Sequence, residues 1–275
     1  MNFGVKEQKN KKRVRLITTV VIVVCSVTLL VSAAALLYIE AKYKESSEHY
    51  NTLRQYMVDS TVITNGDSNG LQDTHGETDG AGQLDSQGGV KQLSIDFESL
   101  REINPDIVAW LICKDTAINY PVVHGADNSY YLTHLFDLTR NNAGCLFVDM
   151  KNTSGFMDKN TIIYGHNMND GSMFNTLGSF KEQSFFEANP RMLLITPDAT
   201  YIVELFAGFI ADIQSDAWRL DFNDDAEFAA WVESVRGRSA FQSDVSVESG
   251  DRVITLSTCT YERDNVRYIL VGKLI

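Results

Sequence analysis

Two residues that are reactive as a pair stand far apart in this chain: Cys259 in TLSTC and His166 in TIIYGHNMNDG. A thiol becomes a nucleophile when an imidazole or another cation favours its thiolate, and histidine is the usual partner. The pairing expected is spatial rather than sequential. Arg267 belongs with them. It opens the last alternating run, RYILVGKLI, and the residues between Cys259 and Arg267 are polar and charged, so strand, short loop and strand read as a hairpin. In such a hairpin Cys259 lies roughly across from Arg267, where a guanidinium can stabilise a thiolate or the oxyanion formed when sulfur attacks a carbonyl. Arg263, at the loop tip, is expected to face solvent. The plain alternative for Cys259 is a buried small hydrophobe, because free cysteine is among the most buried residue types.

Strands must carry both groups. The β-branched run Arg252–Leu256 reads as a strand whose alternation puts Thr255, Ser257 and Cys259 on one face and Ile254 and Leu256 on the other. Thr161–Tyr164 reads as a buried strand, and Gly165 permits an unusual backbone turn just before His166. Further strands are expected at Ile107–Cys113, Ile118–Val123, Gly144–Asp149, Met192–Thr196 and Tyr201–Ala211, the last two forming a hairpin around Pro197 and Asp198. A short amphipathic helix begins at Ser94 and is ended by Asn104 and Pro105, and Asp127–Leu135 reads as a helical turn. Phe174, Phe180, Phe185 and Phe186 mark short core helices. Asn223–Arg236 reads as a longer one, capped by Asn223 or Asp224, with Phe228, Trp231, Val232 and Val235 on one face. The count is about eight strands, mostly short and antiparallel, with peripheral helices.

The front of the chain is different. Residues 1–15 are basic, and Leu16–Ile39 contains no charged residue, a stretch long enough to cross a bilayer as a helix. The positive-inside rule then puts the N-terminus in the cytoplasm and the bulk of the chain outside. A cleaved signal peptide competes with this, since Ser32–Ala35 are small, although Leu36–Ile39 continue the apolar run. Residues 40–92 read as stalk and disordered linker: Glu40–Val58 as a short stalk helix with His49 on its solvated surface, and Asp59–Gln92, rich in Gly, Asp and Ser, as a flexible tether in which His75 has no role. Residues 93–275 read as one folded domain, the one expected to be catalytic. The net charge of −12 argues against a nucleic-acid partner. Cys113 and Cys145 are small core residues or a disulfide. His124 and His134 are expected in surface or capping roles, and neither a metal nor a cofactor is expected.

The motifs YGHNM and TLSTC, with an arginine eight residues after the cysteine, resemble those of the sortases, cysteine transpeptidases that attach proteins to the Gram-positive cell wall. EINPDIVAWL, INYPVVHG and NSYYLTH, between Asp96 and Asn152, are similar to class B, and the likeness covers roughly Leu93–Ile275. It implies an eight-stranded antiparallel sortase β-barrel, with an inserted helix bordering the substrate groove. It also implies Cys259 as nucleophile, His166 as its partner and Arg267 as oxyanion or substrate clamp. The reaction implied is a two-step acyl transfer. A C-terminal sorting signal of a secreted protein is cleaved to a thioester, which an amine of a peptidoglycan precursor or pilin resolves. Ser257 and Thr258 are weaker candidates for the groove beside the nucleophile. Asp170 either orients His166 or makes the turn in NDG. Two other readings stay open: a cysteine hydrolase with the same dyad, and a membrane-tethered binding domain whose cysteine is structural. An L,D-transpeptidase is disfavoured because its signature has histidine and glycine ahead of the cysteine, where Ser257 and Thr258 stand.

Overall fold

The computed structural model describes residues 3–62, 83–84, 90–259 and 265–275, with side chains for 15–58, 93–258 and 265–275. It divides into two compact units, Met1–Ser46 and Ser47–Ile275. The first is formed by helix α1 (Phe3–Leu53), whose last turns, from Ser47, belong to the second. The apolar part of α1 exposes its side chains, including Leu16, Val23, Leu30 and Leu37, and the helix is long and apolar enough to cross a membrane.

The second unit opens with a small antiparallel sheet of β1 (Met57–Val62), β2 (Gln83–Leu84) and β3 (Val90–Ile95), in the order β1-β3-β2. Within the tether expected over Asp59–Gln92, the described residues are strands. Met57 pairs with Ile95 and Val62 with Val90, so both ends of that segment are laddered. Backbone groups supply such pairing whatever the side chains are, so composition hides it. His75 lies outside the described residues. The helix expected from Ser94 begins later, as α2 (Phe97–Ile103). Ser94 is taken up by β3, and Asp96 caps α2 by accepting the Ser99 N–H at 3.0 Å.

The remaining strands are β4 (Ile107–Ile112), β5 (Asn119–Val123), β6 (Leu146–Val148), β7 (Asn160–Tyr164), β8 (Arg191–Ile195), β9 (Thr200–Asp212), β10 (Arg252–Cys259) and β11 (Val266–Leu274). They close into a barrel in the order β10-β11-β9-β8-β4-β5-β6-β7. The eight-stranded barrel agrees with the sequence. Most of its pairings are antiparallel, as expected, and β5·β6 and β7·β10 are parallel. The β7·β10 pairing matters most, since it brings two strands about ninety residues apart in sequence to the same end of the barrel, as parallel neighbours require a long crossover.

Short helices cover the outside. After the 3-10 segment Asn175–Lys181 comes α3 (Gln183–Ala188), and Phe174, Phe180 and Phe186 are buried. Helix α4 (Asp225–Gly237), capped by Asp224, packs Phe228, Trp231, Val232 and Val235 against Phe206, Phe209, Ile269 and Val271 of β9 and β11. Burying four such side chains is worth very roughly 2 kcal/mol each, which fixes the helix to the barrel wall.

Candidate active site

Strand β10 runs between β7 and β11. On one side Ser257 registers with Tyr164, and the Gly165 N–H donates to the Ser257 carbonyl at 3.2 Å, carrying the pairing one residue past β7. His166 follows Gly165, as Cys259 follows Ser257 by two. On the other side Cys259 registers directly with Arg267, as hairpin geometry predicted. Adjacent strands lie about 4.8 Å apart, so the backbones of His166, Cys259 and Arg267 come from three neighbouring strands at one barrel end. Cys259 is described by its backbone alone, and the hairpin loop with Arg263 lies outside the described residues.

Gly165 plays a different part from the one expected. It has no left-handed φ. Instead a Cβ there would run into the Phe174 ring and Leu146, so glycine serves close packing under the histidine. The half-buried His166 ring has Nε2 at 2.7 Å from the Leu132 carbonyl. A carbonyl only accepts, so Nε2 carries a proton, which leaves Nδ1 as the nitrogen that gains or loses one. The His166 carbonyl in turn accepts the Phe174 N–H at 2.9 Å. Asp170 is the turn residue: its carboxylate accepts the Ser172 N–H at 3.0 Å and hydroxyl at 2.6 Å, and the Leu132 carbonyl is what holds the ring.

Leu132 ends the 3-10 turn Tyr130–Leu132, and the chain returns past it at Gly144. Gly144 has φ +63°, and a Cβ on it would clash with the Tyr131 carbonyl, reach the Leu132 carbonyl at 3.1 Å and stand 3.2 Å from His166 Cδ2. Only glycine meets both demands.

Beside this corner an open groove of about 700 Å³ is lined by Tyr164, Ile213, Ser215, Asp216, Trp218, Arg219, Ser257 and Arg267. Arg267 is partly buried, and its guanidinium donates to the Val266 carbonyl at 3.0 Å. The Trp218 indole N–H donates to the Ser257 hydroxyl at 3.1 Å. Thr258, expected beside the groove, is buried and does not line it, because strand alternation turns it to the other face. Thr255 is also buried, donating to Asn160 Oδ1 at 2.8 Å. The inserted helix α4 supports the groove from behind: the Trp231 indole donates to the Asp216 carbonyl at 2.9 Å. At the rim the Tyr164 hydroxyl and the Asn128 amide both donate to Asp149 Oδ2 at 2.9 Å. Burial, reinforced by the Asp149 carboxylate, pushes the Tyr164 phenol well above its ordinary range, so it stays a neutral donor.

The other sequence candidates fall elsewhere. Cys113 and Cys145 are free buried thiols, pushed by burial up to about 11 and about 12. The His134 ring stacks on Tyr130, with centroids 4.0 Å apart. Among the described residues no group of three His, Cys, Asp or Glu could hold a metal ion. His49, expected in solvent, has its Nδ1 3.4 Å from Asp137 Oδ2. Two participants were not foreseen. Leu132 acts through a backbone carbonyl, which leaves no trace in residue type. Trp218, a polar-flanked tryptophan ahead of a helix, was a signal available in the sequence.

A family model for the sortase domain matches residues 112–275. The chain is similar to sortase B of Listeria monocytogenes, 38% identical over 182 residues, covering 66% of this chain and 74% of that protein. Sortase B of Staphylococcus aureus is 34% identical over 181 residues, covering 65% and 74%. Among solved structures, a Staphylococcus aureus sortase B–substrate complex superposes with a TM-score of 0.63 at 34% identity, covering 65% of this chain and 84% of that one. Sortase B from B. anthracis in complex with AAEK1 superposes with a TM-score of 0.67 at 27% identity, covering 86% and 98%.

Proposed function

Because this chain belongs to the sortase family, in its class B branch of cysteine transpeptidases, we propose that Cys259 is the nucleophile, His166 its proton partner and Arg267 the clamp on the developing charge. The thiolate of Cys259 attacks a backbone carbonyl near the C-terminus of a secreted protein, forming the C–S bond of a tetrahedral oxyanion. Arg267 and neighbouring backbone N–H groups balance that negative charge. The imidazolium of His166 gives the departing amine its proton from Nδ1, since Nε2 stays bonded to Leu132, and the C–N bond breaks to leave a thioester. An incoming amine of a peptidoglycan precursor or pilin attacks the thioester, loses its proton to Nδ1 and releases the thiolate. The groove along Trp218, Ser257 and Arg267 receives the sorting signal.

The observation that supports this most is the double register of β10, with Tyr164 beside Ser257 on one side and Arg267 beside Cys259 on the other. The domain order follows the same reading: a basic cytoplasmic tail (1–15), a membrane anchor (16–39), a stalk and linker to 92, and an extracellular catalytic domain (93–275). The test uses the full chain in detergent micelles with sorting-signal peptides and an oligoglycine or diamino-acid acceptor, followed by mass spectrometry. A thioester on Cys259 and an amide product with the amine are expected, both lost in Cys259→Ala. Turnover surviving that substitution overturns the assignment, and hydrolysis without amide formation makes the enzyme a hydrolase.

A further inference from the structure

Outside the groove, the backbone beside the histidine is met by Tyr50, on the last turns of α1 within the second unit. Its ring is buried, at 4% exposure, although it follows a stretch of mostly polar residues. The hydroxyl donates to the Gly144 carbonyl at 2.5 Å. Gly144 is the residue whose backbone passes the Leu132 carbonyl and the His166 ring. The same Tyr50 ring stands edge-on to Tyr120, with centroids 5.0 Å apart, and the Tyr120 hydroxyl accepts the Met173 N–H at 3.0 Å. Met173 bridges to Asn167, the residue after His166. One stretch of backbone beside the imidazole is therefore bonded to the Tyr50 hydroxyl, and the other to Tyr120, against whose ring Tyr50 packs.

We infer that Tyr50 is a positioning residue for the transpeptidation reaction, locking the Leu132–Gly144 segment and the Asn167–Met173 turn so that the His166 ring keeps its Nε2–H tautomer and its aim. The inference rests on the reading of His166 as the proton partner of Cys259. The Leu132 carbonyl fixes the tautomer only if it stays in place. Its segment has little regular structure, so its position depends on bonds such as Gly144–Tyr50. A displacement of about 1 Å at a reacting group costs up to ~100-fold in rate, and loss of one such brace is expected to cost about tenfold. The end of the helix that carries the candidate membrane span is thereby part of the machinery that sets the imidazole.

The test compares wild type with Tyr50→Phe in the full chain in detergent, a change that keeps the ring against Tyr120 and removes the hydroxyl. The expected result is a fall in kcat of about tenfold with KM within about twofold, together with a shift of the His166 ring nitrogen signals from one tautomer toward a mixture. Ser243→Ala serves as the control, because it deletes a comparable bond, to the Leu205 carbonyl at 3.0 Å, near the other end of the barrel. It is expected to leave kcat and the tautomer unchanged. Tyr120→Phe, which strips the acceptor from Met173, reads the same tautomer should Tyr50→Phe not accumulate, and a wild-type spectrum there overturns the inference. Wild-type kcat in Tyr50→Phe beside an inactive His166→Ala overturns the inference alone. Full turnover in His166→Ala overturns the reading beneath it as well.

Discussion

The wall that carries Cys259 and Arg267 is a continuous ladder, with β10 paired to β11 from Arg252 to Cys259 and to β7 from Val253 to Ser257. The segment that holds His166, from Tyr130 to Gly144, has one 3-10 turn and an isolated bridge between His134 and Arg140. Its position rests on scattered contacts instead of a ladder: Tyr50 to the Gly144 carbonyl, the Asn104 amide to the Phe136 carbonyl at 2.8 Å, the Tyr131 hydroxyl to Asp106 Oδ2 at 2.7 Å, and the burial of Tyr131, Leu135 and Phe136. A ladder shares its load over many bonds of about 1 kcal/mol each, so one loss is tolerated. In a segment held by scattered contacts each one governs its own stretch of backbone, so a loss is felt locally. Cys259, the proposed nucleophile, thus sits on a laddered wall and His166, its proposed partner, against an irregular segment, and substitutions should separate the two.

The largest effect is expected from Gly144→Ala. The added Cβ meets the Tyr131 carbonyl and forces an unfavourable φ, which should displace Leu132 and cut kcat about 100-fold while lowering stability by about 2 kcal/mol. A wild-type kcat in that variant would end the claim that this segment sets the imidazole. On the ladder side Arg267→Lys keeps the charge and removes the fork. A loss of about tenfold to thirtyfold in kcat, with an unchanged melting temperature, is the outcome that fits a rigid wall carrying a chemical group. A melting temperature that falls with kcat would show the guanidinium bracing the strand instead.

A smaller effect follows at the groove. Trp218→Phe removes the donor to Ser257 and should raise KM about threefold to fivefold with kcat unchanged, measured with a sorting-signal peptide. The smallest is a matter of pH. Burial raises the Cys145 thiol from its ordinary 9.0 to about 12, so in that interval the folded chain holds a proton that the unfolded chain has lost. Stability contributed by the thiol is complete below about pH 9 and declines as pH rises toward about 12. Cys145→Ala should therefore melt with a shallower alkaline dependence than wild type in a calorimetric pH series. An unchanged slope would mean that the thiol, which lies in the segment's own anchor, is not sealed from water.

Much of the barrel was legible because β-branched alternation is a local signal, and the hairpin joining Cys259 to Arg267 needed only its loop length. The parallel β7·β10 contact had no such signal, since its partners are far apart in sequence and parallel pairing leaves no turn to read. The same is true of β1 and β3. Their short polar strands lie at the ends of a Gly- and Ser-rich stretch, and composition outweighed the weak alternation. At the site, residue types with their own chemistry were visible. Gly165 was seen for the wrong reason, because a sequence announces that a side chain is missing without saying whether φ or a neighbour requires it.

Residue type and spacing alone singled out a thiol, an imidazole and a guanidinium as the groups proposed to do chemistry here, because reactivity belongs to side chains and hairpin register to local pattern. Tertiary structure decided how the imidazole is held: Nε2 meets the Leu132 carbonyl, Gly144 runs past both, and Tyr50 bonds to Gly144. Those contacts run through backbone carbonyls between distant segments, and a carbonyl is the same in every residue.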